Sequence, residues 1–373
     1  MRWLPWVRCM RRLRTIVLLL MVASVATSAG ASATKRVRIA VLGLFHSNQF
    51  VVEASSASPM LVDSGQQQFV AGAGARQTVS IHRIGSKVIV EAAGSRIVGE
   101  RFTFGPRSGG ESDFVLAVPG KLRRRYRGNL VVTVGATAGK AELIAVVEMD
   151  IETAVASIVA AELSSAAPLE ALKAQAVVTR SFLASGGRRH PYAEFCDTTH
   201  CQFLREPPPP ASPAALAVRA TAGLVLAWKC KPFAAMYSAS CGGHTHSLAE
   251  VGDAQIGDPA PDYPYFSVEC AYCRRRPEKW SSQISHKDAT ALAPNREQER
   301  IQAARKLGWS TLPSNTFTQS DVAGDVVLNG VGRGHGVGLC QRGASGMAQH
   351  GEDFRTILLH YFPNTTIESV PAR

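Results

Sequence analysis

The spacing of apolar residues along the chain changes near residue 150. Before that point, short β-branched runs alternate with clusters of Gly, Pro and Ser, which is typical of strands joined by tight turns. The runs are Val37–Leu42, Thr78–His82, Lys87–Glu91, Phe114–Val118, Asn129–Val134 and Leu143–Val147. This pattern predicts a mostly β N-terminal region over residues 37–125, without obvious catalytic groups, and further strands up to residue 147.

After Asp150 the apolar positions recur with a helical period. Val155, Ile158, Val159 and Glu162 fall on one stripe, and Asp150 is suited to cap the N-terminus of this helix. Further helices are predicted over 168–183, 213–221, 296–307, 344–350 and 354–360, and strands over 224–228, 233–238 and 325–328. We therefore expect an α+β fold.

The first residues have the pattern of an export signal. Five arginines up to Arg14 precede a short apolar run, Ile16–Ala26, and small residues suited to cleavage follow at Ala29–Ala33. The run is shorter than the ~20 residues of a spanning helix. We predict that residues 1–33 are a signal peptide, or else an uncleaved membrane anchor, and that the protein is exported to the periplasm or cell envelope.

Composition narrows the choice of partners. The chain has 373 residues, 46% of them hydrophobic, and a formal net charge of +12 that stays positive without the leader. A basic exported protein favours anionic envelope polymers over nucleic acid as partners. We expect contact with a membrane only if the leader is retained. The basic runs Arg123–Arg125 and Arg274–Arg276 are interpreted as solvated loop charges.

Glu162 is the first candidate for chemistry, because its carboxyl group lies on an apolar helical stripe. Apolar surroundings raise a carboxyl pKa, which is what a general acid needs near neutral pH. The alternative is a glutamate at a helix end that pairs with a lysine or arginine. Glu152 and Glu170 lie in the first turns of predicted helices, where the helix dipole favours a negative charge, so their presence needs no catalytic role. Arg180 either caps its helix or reaches an anionic group.

A compact group of metal ligands follows the second helix. His190, Cys196, His200 and Cys201 supply two imidazoles and two thiols within twelve residues, a donor set typical of tetrahedral zinc. Filled by four protein ligands, such a site is structural. The alternative is a Cys196–Cys201 disulfide, which export would permit.

The remaining cysteines allow two interpretations. Seven cysteines follow the leader, an odd number that cannot all form intramolecular disulfides. Cys241, Cys270, Cys273 and Cys340 are either a second four-sulfur site or two disulfides. The glycine-rich segment before Cys340, residues 330–338, lacks the pattern of a phosphate-binding loop.

Several separated motifs follow one another along the second part of the chain. They are Tyr126–Leu130, the glutamate Glu162, Glu170–Phe182, Cys196–Gln202, Met236–Thr245, Gly334–Ala344 and Ile357–Pro363. Together they resemble the SpoIID/LytB family, named for a sporulation cell-wall protein and an amidase enhancer. They follow the family's order and span residues 126–367, which we predict to be a SpoIID-like domain.

The resemblance implies a peptidoglycan lytic transglycosylase that cleaves glycan strands stripped of stem peptides. It places the catalytic carboxylate at Glu162 and implies structural zinc at His190, Cys196, His200 and Cys201. It implies substrate-binding roles for Arg180, Tyr237, Ser240, His335 and Gln341. Cys241 and Cys340 stand where many members have serine, and Thr179 and Ser181 replace the commoner residues around Arg180.

The expected mechanism uses one carboxylate twice, as acid and then as base, and leaves a 1,6-anhydro-N-acetylmuramic acid end. Two other classes remain open. A glycan-binding enhancer of a cell-wall amidase would bind glycan strands without cleaving them. A metallohydrolase would lose its chemistry directly on chelation.

Overall fold

The structure is a computed structural model that describes residues 35–370, except 75–76, 138, 188–189, 199 and 252–262. The predicted signal peptide, residues 1–33, lies outside the described residues. Within the described part of the chain, no helix has both the length and the apolar character needed to cross a membrane.

The region before residue 151 is built from strands, as its alternating pattern predicts. They are β1 (Arg36–Val41), β2 (Gln49–Ala54), β3 (Met60–Asp63), β4 (Gln68–Ala71), β5 (Thr78–Ile84), β6 (Lys87–Ala92), β7 (Ser95–Gly99), β8 (Arg101–Gly105), β9 (Ser112–Val118), β10 (Leu122–Thr137) and β11 (Lys140–Asp150), with a 3-10 turn at Gly43–Phe45.

The second part of the chain mixes helices with short strands. In order these are α1 (Ile151–Glu162), α2 (Leu169–Ala184), β12 (Phe195–Cys196), α3 (Pro213–Ala220), β13 (Leu224–Trp228), β14 (Lys231–Pro232), β15 (Tyr237–Ser238), α4 (Ala271–Arg275), β16 (Lys279–Ser285), α5 (His286–Ala289), α6 (Glu297–Leu307), β17 (Phe317–Val322), β18 (Asp325–Val331), β19 (Leu339–Cys340), α7 (Gln341–Gln349), α8 (Phe354–Tyr361) and β20 (Thr366–Ser369). The expected α+β fold is confirmed.

Strand β10 joins two parts of one twelve-stranded sheet. Its first half pairs antiparallel with β9, and its second half pairs with β11 and β8. The chain turns between the halves at Gly128, which has φ 148°, and a Cβ there would lie 2.6 Å from the Glu148 carbonyl oxygen. The suggested boundary between residues 125 and 126 falls inside this strand, so the two regions share it.

Helix α2 connects two hydrophobic cores. Leu172 and Ala176 belong to the core formed with the N-terminal strands and α1. Ala174 and Val177, on the other side of α2, belong to a second core with α7, α8 and the segments around β15 and β19. The predicted and observed bounds of α2 agree closely, because its apolar positions follow a helical period with few polar interruptions.

Residues 279–331 form a small unit with its own core. β16, β18 and β17 make a three-stranded antiparallel sheet, and Leu312, Leu328 and Ala304 are buried beneath it and α6. The predicted strand over 233–238 is shorter than expected. Only Tyr237–Ser238 is a strand, because β15 pairs with the two-residue β19 alone.

Candidate active site

The end of α1 opens into a cleft of about 380 Å³. Glu162, Tyr237, His335 and Gln341 line it together, although they are far apart in sequence. The loop after β12 and the unit 279–331 supply further walls, including His200, Cys201, Gln202, Phe203, Glu297, Arg300 and Trp309. Four of the six predicted catalytic and substrate-binding residues therefore meet in one place.

Glu162 is the last residue of α1, and its position follows from how that helix begins and ends. Asp150 caps the N-terminus, its Oδ1 accepting hydrogen bonds from the Glu152 and Thr153 amides at 2.8 and 3.2 Å. At the other end Leu163 is extended, with φ −122°. The chain therefore leaves the helix directly after the carboxylate.

The Glu162 carboxyl group is half-buried and hydrogen-bonded. Burial raises its pKa above the usual value, while hydrogen bonds from Tyr237, the Phe203 amide and Gln341 lower that pKa by a smaller amount. The Phe203 amide donates to Oε1 at 3.2 Å. The group can therefore hold a proton at higher pH than an exposed glutamate, and the donors are in place to stabilise it once the proton has left.

Tyr237 and Gln341 reach the cleft because two short strands pair in parallel. Tyr237 lies opposite Leu339 and Ser238 opposite Cys340, and Gln341 follows immediately as the first residue of α7. Burial raises the pKa of Tyr237 well above its usual value. Its hydroxyl therefore stays protonated and donates to Glu162.

Gln341 is itself held by a buried polar pair that sequence reasoning missed. Its Nε2 donates to Gln175 Oε1 at 3.2 Å, and Gln175 Nε2 donates to Thr179 Oγ1 at 3.2 Å. Gln175 and Thr179 are fully buried within α2. Their four-residue spacing inside an apolar helix was the available signal, since buried polar groups need a partner.

His335 lies on the glycine-rich turn between β18 and β19. The Val337 amide donates to its Nδ1 at 2.9 Å, so the neutral ring carries its proton on Nε2. Burial lowers the pKa of His335 below its usual value. The imidazole is therefore neutral near pH 7 and supplies no charge, and its ring also hydrogen-bonds the Tyr237 backbone carbonyl.

Arg180 is not among the described residues that line the cleft. Of its two expected roles it reaches an anionic group, the Glu152 carboxylate, and its role in binding substrate stays a prediction. Arg180 is 2% exposed, and its Nε and Nη2 each donate to one Glu152 oxygen at 2.7 Å. Nη1 donates to the Leu224 carbonyl at 3.0 Å. The guanidinium joins α1, α2 and β13, so its role here is structural.

Ser240 is also placed away from the cleft wall. Its backbone pairs with Arg333, and its hydroxyl lies 3.8 Å from Cys273 Sγ. Ser240 is not among the described residues that line the cleft, and its expected contact with substrate stays a prediction. It stands instead beside a cluster of cysteines.

The four predicted metal ligands come together at one edge of the cleft. The ligand atoms of His190, Cys196, His200 and Cys201 lie within 4.8 Å of one another. His190 Nε2 is 3.3 Å from Cys201 Sγ, and His200 Nδ1 is 3.7 and 3.9 Å from the sulfurs of Cys201 and Cys196. The cysteines form no disulfide. Two imidazoles and two thiols at these separations fit a tetrahedral zinc ion.

Residues 139–228 match the sequence profile of the family described as SpoIID, stage II sporulation protein. This segment carries a SpoIID sequence match. The matched range contains Glu162, Arg180 and the four-ligand cluster. The match to the SpoIID profile indicates a role related to the cell wall.

A relative is similar to the chain over a longer stretch. The chain is 29% identical over 259 residues to an uncharacterized protein of Brachyspira hyodysenteriae. The aligned region covers 60% of this chain and 68% of that protein.

The matched SpoIID range ends before Tyr237, so part of the cleft comes from outside it. The unit 279–331 adds Glu297 and Arg300, which are 5% and 6% exposed and form a bidentate pair at 2.6 and 2.8 Å. The Arg300 guanidinium packs against the Trp309 ring, with Arg300 Cζ 5.5 Å from the ring centroid, and Trp309 remains 48% exposed. Sequence reasoning did not single out these three residues, because only the fold carries them to Glu162.

Proposed function

We propose that this protein is a lytic transglycosylase that cleaves peptidoglycan glycan strands. One observation carries the proposal. Among the described residues that line the cleft, Glu162 and Glu297 carry carboxyl groups, and both oxygens of Glu297 accept from Arg300. Only Glu162 is therefore suited to give and take a proton, which fits a mechanism with a single carboxylate.

In the first step Glu162 donates its proton to the glycosidic oxygen that follows N-acetylmuramic acid. The bond to C1 breaks through an oxocarbenium-like transition state. Because burial raises the pKa of Glu162, a larger fraction of the carboxyl group is protonated near neutral pH. Tyr237 and Gln341 then donate to the carboxylate that forms.

In the second step the Glu162 carboxylate accepts the proton of the C6 hydroxyl on the same sugar. The C6 oxygen attacks C1 and closes a 1,6-anhydro ring. The proton from the C6 hydroxyl replaces the one that Glu162 gave to the leaving group, so the cycle consumes no water. The exposed ring of Trp309 is placed to pack against the apolar face of the sugar, and His335 lines the same cleft.

The His190, Cys196, His200 and Cys201 cluster would hold zinc in this proposal. With four protein donors, zinc there would have a structural role and leave no open position for water. The cluster fixes the loop that continues into Phe203, whose amide donates to Glu162. The proposal also requires export to the cell envelope, which the predicted leader would provide.

The test compares glycan strands stripped of stem peptides before and after incubation with the purified chain. We expect anhydro-ended fragments with the wild type. Glu162→Gln should lower their rate of release on the order of 10²–10⁴-fold, the usual contribution of a general acid or base. Glu170→Gln is the matched control, because that carboxylate bonds Lys173 and the Phe354 amide outside the cleft.

The outcomes separate the function classes. Full activity of Glu162→Gln would show that Glu162 is not the general acid. Glycan binding by the wild type without any fragment would favour an enhancer of a cell-wall amidase over an enzyme.

A further inference from the structure

Four cysteines gather in the second core. The sulfurs of Cys241, Cys270, Cys273 and Cys340 lie within 4.8 Å of one another. They are at most 3% exposed. They come from three separate segments: the turn after β15, the start of α4, and the N-cap of α7.

These sulfurs are arranged around a common centre and not as two bonded pairs. None of the four forms a disulfide, and Cys273 Sγ is 3.6 Å from Cys340 Sγ. Zinc–sulfur bonds of about 2.3 Å in a tetrahedron place neighbouring sulfurs about 3.8 Å apart. Cys270 and Cys273 also have the CxxC spacing common in thiolate metal sites.

The surroundings supply hydrogen-bond donors to the sulfurs. The Cys241 and Gly343 amides both donate to Cys340 Sγ at 3.3 Å. The Tyr361 hydroxyl is 3.3 Å from Cys270 Sγ. Since a metal-bound thiolate can only accept, these groups would donate to it and offset its buried negative charge.

The packing leaves no room on this side for anything larger than an ion. A Cβ on Gly343 would lie 2.5 Å from Cys270 Sγ. A site so enclosed, with four protein donors, offers no position to water or substrate. Its role would be structural.

The site would hold the cleft wall that faces Glu162. Cys340 pairs with Ser238 across β15 and β19, and it immediately precedes Gln341. Cys241 follows β15, four residues after Tyr237. A bond from both cysteines to one ion would therefore fix the two side chains, Tyr237 and Gln341, that hydrogen-bond Glu162.

We propose that Cys241, Cys270, Cys273 and Cys340 bind a second structural metal ion, zinc or iron, separate from the site at His190, Cys196, His200 and Cys201. Each thiol gives up its proton on binding. The four-sulfur site ties β15, α4 and α7 together behind the cleft. It does not depend on the proposed lyase activity, because its test needs no substrate.

Elemental analysis of the purified full chain, expressed as metal per folded monomer, tests this directly. We expect two metal ions in the wild type, and one fewer in Cys241→Ser/Cys340→Ser. Cys196→Ser/Cys201→Ser should lose the other ion and keep this one. Cys230→Ser is the control, because the exposed Cys230 belongs to neither cluster, and it should keep both ions.

A second measurement on the wild type covers the case in which the variants fail to fold. The four thiols should resist alkylation in the native chain and react fully after denaturation with a chelator and no reductant. Two results would overturn the proposal. One is an unchanged metal content in Cys241→Ser/Cys340→Ser. The other is a failure of the four cysteines to react in denaturant until a reductant is added, which would show disulfides.

Discussion

Glu162 combines apolar surroundings with three hydrogen bonds to the same carboxyl group. Burial favours the protonated acid, whereas the donors favour the carboxylate. The first effect could be predicted from the sequence, because the apolar stripe of α1 includes position 162. The donors could not, since Phe203, Tyr237 and Gln341 approach only through long-range packing.

Tyr237→Phe should shift the pH dependence of activity. Removing the hydroxyl removes a hydrogen bond that lowers the pKa of Glu162, so that pKa should rise further. The first step needs the protonated acid. The alkaline limb of the kcat/KM profile should therefore move to higher pH, while the maximum rate falls because the carboxylate loses a donor.

The profile is measured on stripped glycan strands over a range of pH. A limb that stays in place in Tyr237→Phe, or moves to lower pH, would contradict the proposed hydrogen bond. His335→Gln serves as comparison, since the pKa of Glu162 shows no dependence on that ring and its limb should not move.

At the scale of elements, α2 organises the site mainly through side chains that lie outside the cleft. Its Arg180 joins α1 and β13, and its Gln175 holds Gln341 at the start of α7. The sequence predicted α2 well but not the roles of these side chains. The spacing of residues showed no acidic partner for Arg180 on α2. Its partner Glu152 lies on α1, so the pair could not be predicted from helical spacing.

Arg180→Ala should therefore destabilise the fold by about 3 kcal/mol. Removing Arg180 leaves the Glu152 carboxylate without its partner and still mostly shielded from water. The expected loss is at the lower end of the range for breaking a buried ion pair. Glu152→Gln/Arg180→Met should recover part of that loss, because no lone charge remains. Chemical denaturation measures the free energy of unfolding for all three chains.

The same variants separate a structural from a substrate-binding role. We expect Arg180→Ala, assayed well below its unfolding temperature, to leave KM for glycan strands unchanged. An increase in KM without loss of stability would show that Arg180 does contact the substrate.

At the scale of the whole molecule, the cleft forms where two cores and a small unit meet. The sequence predicted the α+β class and the four-ligand cluster, because donor type and spacing are local signals. It did not predict that β10 runs through the suggested boundary at residue 125. Nor did it predict the pairing of β15 with β19, which lie about a hundred residues apart, or the contribution of Trp309.

Metal removal should act on the stability of the whole molecule and not on the chemical step. Chelation should lower the unfolding temperature, because metal binding is coupled to folding. Metal-depleted protein that remains folded at low temperature should keep its activity until the loops around the metal sites lose their structure. Immediate loss of activity with an unchanged unfolding temperature would instead favour a metallohydrolase. Thermal unfolding and activity are recorded in parallel during chelator titration.

The most direct test of the central claim is the mass of the wild-type products formed in oxygen-18-labelled water. If Glu162 acts alone as acid and then base, the fragments end in a 1,6-anhydro ring and contain no oxygen from the solvent. Fragments with a reducing end that carries the heavy isotope would show that water attacks C1, which would contradict the account.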